Sequence, residues 1–171
     1  MKLLDFFPIP SFLKMSPYGF DISDESVKYI KFGKNKKTAF IEKYGEKKLP
    51  QGIIENGEIK KEKEFLDFLK LNFKDSGIRD IVVSLPEEKA FLDIIELPKT
   101  NSVDLRGIIG VQLENYFPFK AKDVIFDFEV LNDSGKDIRD VLIAAFPKPL
   151  IESYKNCLIK AKFILVQVLE H

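Results

Sequence analysis

The sequence of 171 residues contains no tryptophan, one cysteine and one histidine, and that histidine, His171, is its last residue. Without an internal imidazole, a histidine-based catalytic triad or a histidine metal site is excluded. A single thiol can form neither an intrachain disulfide nor a zinc cluster. Cys157 has no histidine partner and stands among Tyr154, Leu158 and Ile159, so it reads as a buried structural thiol rather than a nucleophile. Charge of one sign is also lacking, because Lys+Arg and Asp+Glu both number 27. A dedicated nucleic-acid binder carries a basic excess, so nucleic acid is not an expected partner. No run approaches the roughly 18 apolar residues that would suggest a membrane span.

The two ends show what is missing in another way. The opening MKLLDFFPIPSFLKM is apolar, but Asp5, Pro8 and Pro10 interrupt it too early for a signal-peptide core, and no small-residue cleavage site follows. It reads as an extended arm on its own domain or as an interfacial segment presenting Leu3, Leu4, Phe6, Phe7, Phe12 and Leu13. The other end stops just after an apolar run, Phe163 to Val168. The closing Leu169-Glu170-His171 matches a vector-derived scar, and the chain looks cut there.

What is present is an ordinary globular composition, 45% hydrophobic and 32% charged, with 16 phenylalanines to build a core. Strand signals cover Tyr18 to Asp21, Val27 to Phe32 and Thr38 to Tyr44, separated by Ser23-Asp24-Glu25-Ser26 and a lysine-rich turn at 33–37. Pro50, Gly52 and Gly57 punctuate two short extended pieces. A helix follows with Phe65, Leu66, Phe68, Leu69 and Phe73 on one face, then a strand from Ile81 to Leu85 that ends at Pro86. Beyond Pro86 the pattern predicts a strand from Phe91 to Leu97 and a helix capped by Ser102, with Leu105, Ile108, Ile109, Leu113 and Tyr116 recurring on one apolar stripe. A hairpin of Val124 to Leu131 and Val141 to Phe146, a helix opened by Pro149, and a strand from Phe163 to Val168 complete the series.

Few motifs carry chemistry. Asp21 at a strand end, followed by Ser23, Asp24, Glu25 and Ser26, is the composition of a phosphate-cradling turn, in which Asp21 would help hold a magnesium ion through water. Plain hairpin turns share that composition. Gly107-Ile108-Ile109-Gly110 matches the GxxG loop of KH-type RNA-binding domains, but its middle residues lie on an inward helical stripe and no basic cluster surrounds it. The neighbouring carboxylates Asp24/Glu25 and Glu87/Glu88 show no sign of a shielded general acid. From these residues alone no enzyme is expected.

Three stretches, in order, resemble the PilM family of type IV pilus assembly proteins, which are actin-like and FtsA-related. They are GFDISDESVKYIKF, LPQGIIENGEIK, and the pair VVSLPEEKAFLDIIELP and QLENYFPFKAKDVIFDFEVL. Together they span about Gly19 to Val168 but correspond to only the first half of a family member. The resemblance implies an α+β or α/β fold of the actin-like (ribonuclease H-like) kind. Residues 1–86 and 163–171 would form a 1A-like subdomain and residues 87–162 an inserted 1C-like subdomain, with 2A and 2B absent.

By position, Asp21 would be the metal-proximal aspartate, Ser23, Asp24, Glu25 and Ser26 the first phosphate turn, and Lys28 would follow it. The family implies ATP and Mg in a complete protein. Ser23 stands where the family usually has glycine, and Asp24-Glu25 adds negative charge where phosphates would approach, so no tight nucleotide binding is expected of this chain. The implied partner is the N-terminal cytoplasmic tail of a PilN-like inner-membrane protein, held between 1A and 1C, with Pro86, Tyr116, Phe117 and Pro118 as candidate walls. The implied role is a cytoplasmic scaffold peripheral to the inner membrane, which touches the membrane through its partner and can form a homo-oligomer. An FtsA-like division protein and the first half of another actin-like ATPase or kinase are the alternative readings.

Overall fold

The computed structural model describes residues 17–34, 38–98, 104–116, 120–132 and 138–169. Two sheets carry the architecture. The first joins β1 (Tyr18–Ile22), β2 (Ser26–Lys34), β3 (Ala39–Lys48), β6 (Asp80–Ser84) and β10 (Ile164–Leu169) in the order β10-β6-β1-β2-β3. β1, β2 and β3 are an antiparallel meander, whereas β1, β6 and β10 run parallel. Parallel neighbours need long crossovers. Here the first crossover passes through the small hairpin β4 (Ile54–Glu55)–β5 (Glu58–Ile59) and helix α1 (Glu62–Phe73), and the second contains everything from Leu85 to Phe163.

Within that second crossover, β7 (Phe91–Pro98), β8 (Val124–Asn132) and β9 (Ile138–Pro147) form a separate antiparallel sheet in the order β7-β9-β8. Helix α2 (Leu105–Tyr116) covers one face of it. The core there is Ile95, Leu97, Ile109, Leu113, Val124, Val141 and Ile143. Helix α3 (Lys148–Lys160) then leads into β10.

The first sheet is covered by helices on one face. Phe20, Ile22, Ile81 and Val83 point toward Phe65, Phe68, Leu69 and Phe73 of α1 and toward Ile151, Tyr154, Cys157 and Leu158 of α3. Phenylalanine does dominate: the Phe20 ring lies 5.1 Å from Phe73 and 5.3 Å from Phe163. Such tilted and edge-on pairs add to what area burial alone supplies. The sequence division at 87–162 groups α3 with the inserted unit. Its buried side chains lie instead in the first core, because Pro147 and Pro149 turn the chain out of β9 and lay the helix alongside α1.

Two elements differ in detail from the sequence pattern. β3 runs on to Lys48, pairing Ser26 with Lys48, although 45–48 shows no apolar alternation. It is an edge strand, exposed along most of its length, so burial imposes no pattern on it. The expected cap Ser102 lies outside the described residues; Asp104 caps α2, its Oδ1 accepting the Gly107 N–H at 2.8 Å. Gly107 and Gly110 both lie inside that helix, with Ile109 fully buried, so they form no KH-type loop.

Candidate functional site

The residues expected to cradle phosphate meet at one end of the first sheet, and most of their polar groups are already occupied. The turn between β1 and β2 closes on itself. The Ser23 N–H donates to the Ser26 carbonyl at 3.0 Å, and the Ser26 N–H donates to Ser23 Oγ at 3.2 Å. Both Asp24 carboxylate oxygens accept backbone N–H groups from the β4–β5 turn, Oδ2 from Asn56 at 2.6 Å and Oδ1 from Gly57 at 3.0 Å.

That turn has φ of 50° at Asn56 and 73° at Gly57. Two successive positive φ values define the tight Asn-Gly hairpin, in which the second position strongly favours glycine. Space imposes the same choice, since a Cβ on Gly57 would lie 3.1 Å from Pro86 Cβ. The Gly57 carbonyl in turn accepts the Tyr154 hydroxyl at 2.9 Å. One dipeptide is therefore held by the β1–β2 turn, by α3 and by the residue at which the chain leaves β6.

Beside it, Glu58 receives Lys60 and, at 2.9 Å, Lys89 from the 3-10 turn Glu87–Lys89. These two ammonium donors, Lys60 first, hold its carboxyl down at about 2. The pair brackets an opening of about 280 Å³ whose apolar walls are Ile59, Pro147, Pro149 and Leu150, at the point where the chain returns from the inserted sheet.

Asp21 and Lys28 stand apart from this network, on the helix-free face of the sheet. Their charges are 3.9 Å apart and both side chains are more than half exposed. They line a separate cavity of about 610 Å³ with Ile30, Tyr44 and Val82. Among the described residues no cluster of three or more histidine, cysteine or acidic side chains is placed to hold a metal ion. Cys157 is buried, and that burial raises its thiol to about 11, which keeps it out of thiolate chemistry at neutral pH.

These residues do not fit a phosphate or magnesium group. A cradle needs amide N–H groups pointing outward and little negative charge. Here the Ser23 and Ser26 amides turn inward, Asp24 is an acceptor for its own chain, and Glu25 is an exposed carboxylate. Of the candidate peptide walls, Pro86 is buried against the hairpin and Tyr116 is the last residue of α2. Phe117 and Pro118 lie outside the described residues. Asn56, Gly57 and Tyr154 were not among the site candidates. Their one sequence signal was the Asn-Gly pair flanked by Ile54 and Ile59.

A mixed sheet with helices on one face, interrupted by a compact three-stranded insertion, is an actin-like architecture. The chain belongs to the family described as type IV pilus assembly protein PilM, whose profile matches residues 19–170. Among solved structures it is similar to a PilM-PilN type IV pilus biogenesis complex, with a TM-score of 0.77 and 18% identity over 89% of this chain and 46% of that one. It is also similar to the cytoplasmic domain of EpsL, an inner membrane component of the type II secretion system of Vibrio cholerae. There the TM-score is 0.60 with 13% identity, covering 91% of this chain and 57% of that one. The chain thus spans about half the length of these structures. No curated protein matches the sequence significantly.

Proposed function

We propose that this chain is the partner-binding half of a type IV pilus assembly scaffold. It works at the cytoplasmic face of the inner membrane and receives the N-terminal tail of a PilN-like membrane protein between its two units. The family match over residues 19–170 carries this reading. The opening beside Glu58 and Lys89 supports it by its chemistry. Ile59, Leu150 and two prolines offer apolar contact to an extended segment, and the charged pair at the rim can meet its backbone. The Asp24–Gly57–Tyr154 linkage keeps the wall of that opening rigid, which lowers the ordering cost of binding. Nucleotide chemistry is not part of this reading for the chain itself, since its turn does not fit a phosphate.

Calorimetry with a PilN-like N-terminal peptide from the same organism is the test. Affinity on the order of micromolar is expected for a short segment that must lose its conformational freedom. Leu150→Asp should abolish the heat of binding, and Tyr116→Ala probes the other candidate wall. A folded chain that binds no peptide at near-millimolar concentration overturns the scaffold reading. Binding unchanged by Leu150→Asp moves the site elsewhere and leaves the scaffold reading standing.

A further inference from the structure

The opposite end of the first sheet has a different chemistry. It is formed where the parallel strands start, with Tyr18 level with Ile81 and Ile81 level with Leu165, and where α1 and α3 both finish. A cavity of about 760 Å³ opens there over an apolar floor of Phe73, Ile78 and Phe163. Its rim carries Lys70, Lys74, Arg79 and Lys162, which come from α1, from the entry to β6 and from the entry to β10. None of these four forms an ion pair among the described residues, unlike Lys31, Lys60, Lys89 and Lys160. Leu71, between two of them in sequence, is 87% exposed.

Complementing the helix ends accounts for only part of this charge. Each helix C-terminus presents roughly half a negative charge, so two of them offset about one cation of the four. Asp67, Asp75 and Asp80 are the nearby carboxylates in sequence. Against them, Lys43 adds its ammonium at this end by donating to the Ser76 carbonyl at 3.2 Å. Five cations, from α1, β3 and the entries to β6 and β10, thus converge at this end.

We propose that this basic end docks on an anionic phospholipid surface, with headgroup phosphates in the cavity rimmed by Lys70, Lys74, Arg79 and Lys162 and Leu71 in the interfacial layer. Clustered lysines and arginines on a partly apolar surface gain affinity from the negative potential of an anionic leaflet. The exposed leucine favours a bilayer over an acidic peptide, because a solvated acidic chain offers it no apolar partner. The docking surface does not depend on the peptide reading. The two sites lie at opposite ends of the sheet, so a membrane-inserted partner and the membrane itself can be held together.

The test is flotation of the full chain with vesicles of pure phosphatidylcholine and with vesicles containing phosphatidylglycerol. Binding is expected only to the anionic vesicles and should weaken steeply with salt. Since each cation near such a surface is worth roughly fivefold in affinity, Lys70→Glu with Lys74→Glu should reduce binding at least tenfold. Leu71→Ser should give a smaller loss, and both variants should stay folded and keep the peptide affinity. Equal binding to neutral vesicles, or undiminished binding by the double variant, overturns the proposal. Binding to polyglutamate without binding to vesicles also overturns it and assigns the cavity to an acidic protein partner.

Discussion

The hydroxyl of Tyr154 donates a 2.9 Å hydrogen bond to the carbonyl of Gly57, 97 positions earlier in the chain. The N–H of that same glycine donates to Asp24, so both backbone polar groups of one turn residue are met by side chains from distant elements. A tight turn leaves its backbone groups without ladder partners, and burying them unmet is costly. Here the cost is offset by two side chains that also fix the hairpin against the sheet and α3.

Tyr154→Phe leaves the Gly57 carbonyl buried without its donor. The expected loss is about 1–3 kcal/mol in urea unfolding. Burial, followed by the nearby Asp24 charge, raises the phenol well above its ordinary 10.0, and burial raises the Cys157 thiol from 9.0 to about 11. Both groups therefore hold their protons longer in the folded state than in the unfolded one. Their contribution is fully present below the unfolded values and is lost as pH rises beyond them. The urea midpoint should hold steady from neutral pH to 9.0 and then fall. The Tyr154→Phe protein should fall less.

Asp24→Ala removes the acceptor for two amides at once. Because the site is only half-buried, water can partly replace the carboxylate, and the expected cost is about 1–3 kcal/mol. Asp24→Asn should recover little, since its amide group turns a donor toward one of the two N–H groups. Faster amide exchange at Asn56 and Gly57 in either variant is the direct readout. A phosphate-binding role for Asp24 would leave those exchange rates unchanged.

Ile109→Ala opens a hole in the core of the inserted sheet, where Ile109 is fully buried with Leu113, Val141 and Ile143. Deleting that much of a close-packed side chain costs about 2–5 kcal/mol. Denaturant unfolding measures it. An unchanged midpoint would mean that α2 turns its other face inward.

Titration of a fluorescent ATP analogue with magnesium should show no saturation in the low-micromolar range. The Ser23 and Ser26 amides are committed within the turn, and Asp24 and Glu25 oppose an approaching phosphate. Saturable binding there would require the turn to open, which Asp24→Ala would then enhance.

Where burial writes a pattern, the sequence could be read. Phe65, Phe68, Leu69 and Phe73 marked the inner face of α1, and Ile109 and Leu113 that of α2, because water is excluded from one side only. Edge strands escaped that logic, so the third strand was expected only as far as Tyr44, although residues 45–48 go on pairing with β2. The site escaped for another reason. Asp24 and Glu25 are neighbours with equal charge, yet one grips a hairpin and the other faces water. Nothing local separates them; the difference lies in residues 32 and 33 positions away. The exchange of Tyr154 with Gly57 is longer still, and a buried tyrosine on an amphipathic helix announces only that it is inward.

Phe91 and Ala145 sit directly opposite one another in the antiparallel pair of β7 and β9. The whole three-stranded unit therefore leaves and rejoins the parent sheet through one doorway. For the host fold, its content is a single closed loop, and each doubling of such a loop costs only about 0.6 kcal/mol. Evolution can thus enlarge, trim or exchange this module almost without charge to the sheet that carries it, and different assembly machines could dress one chassis with different inserts.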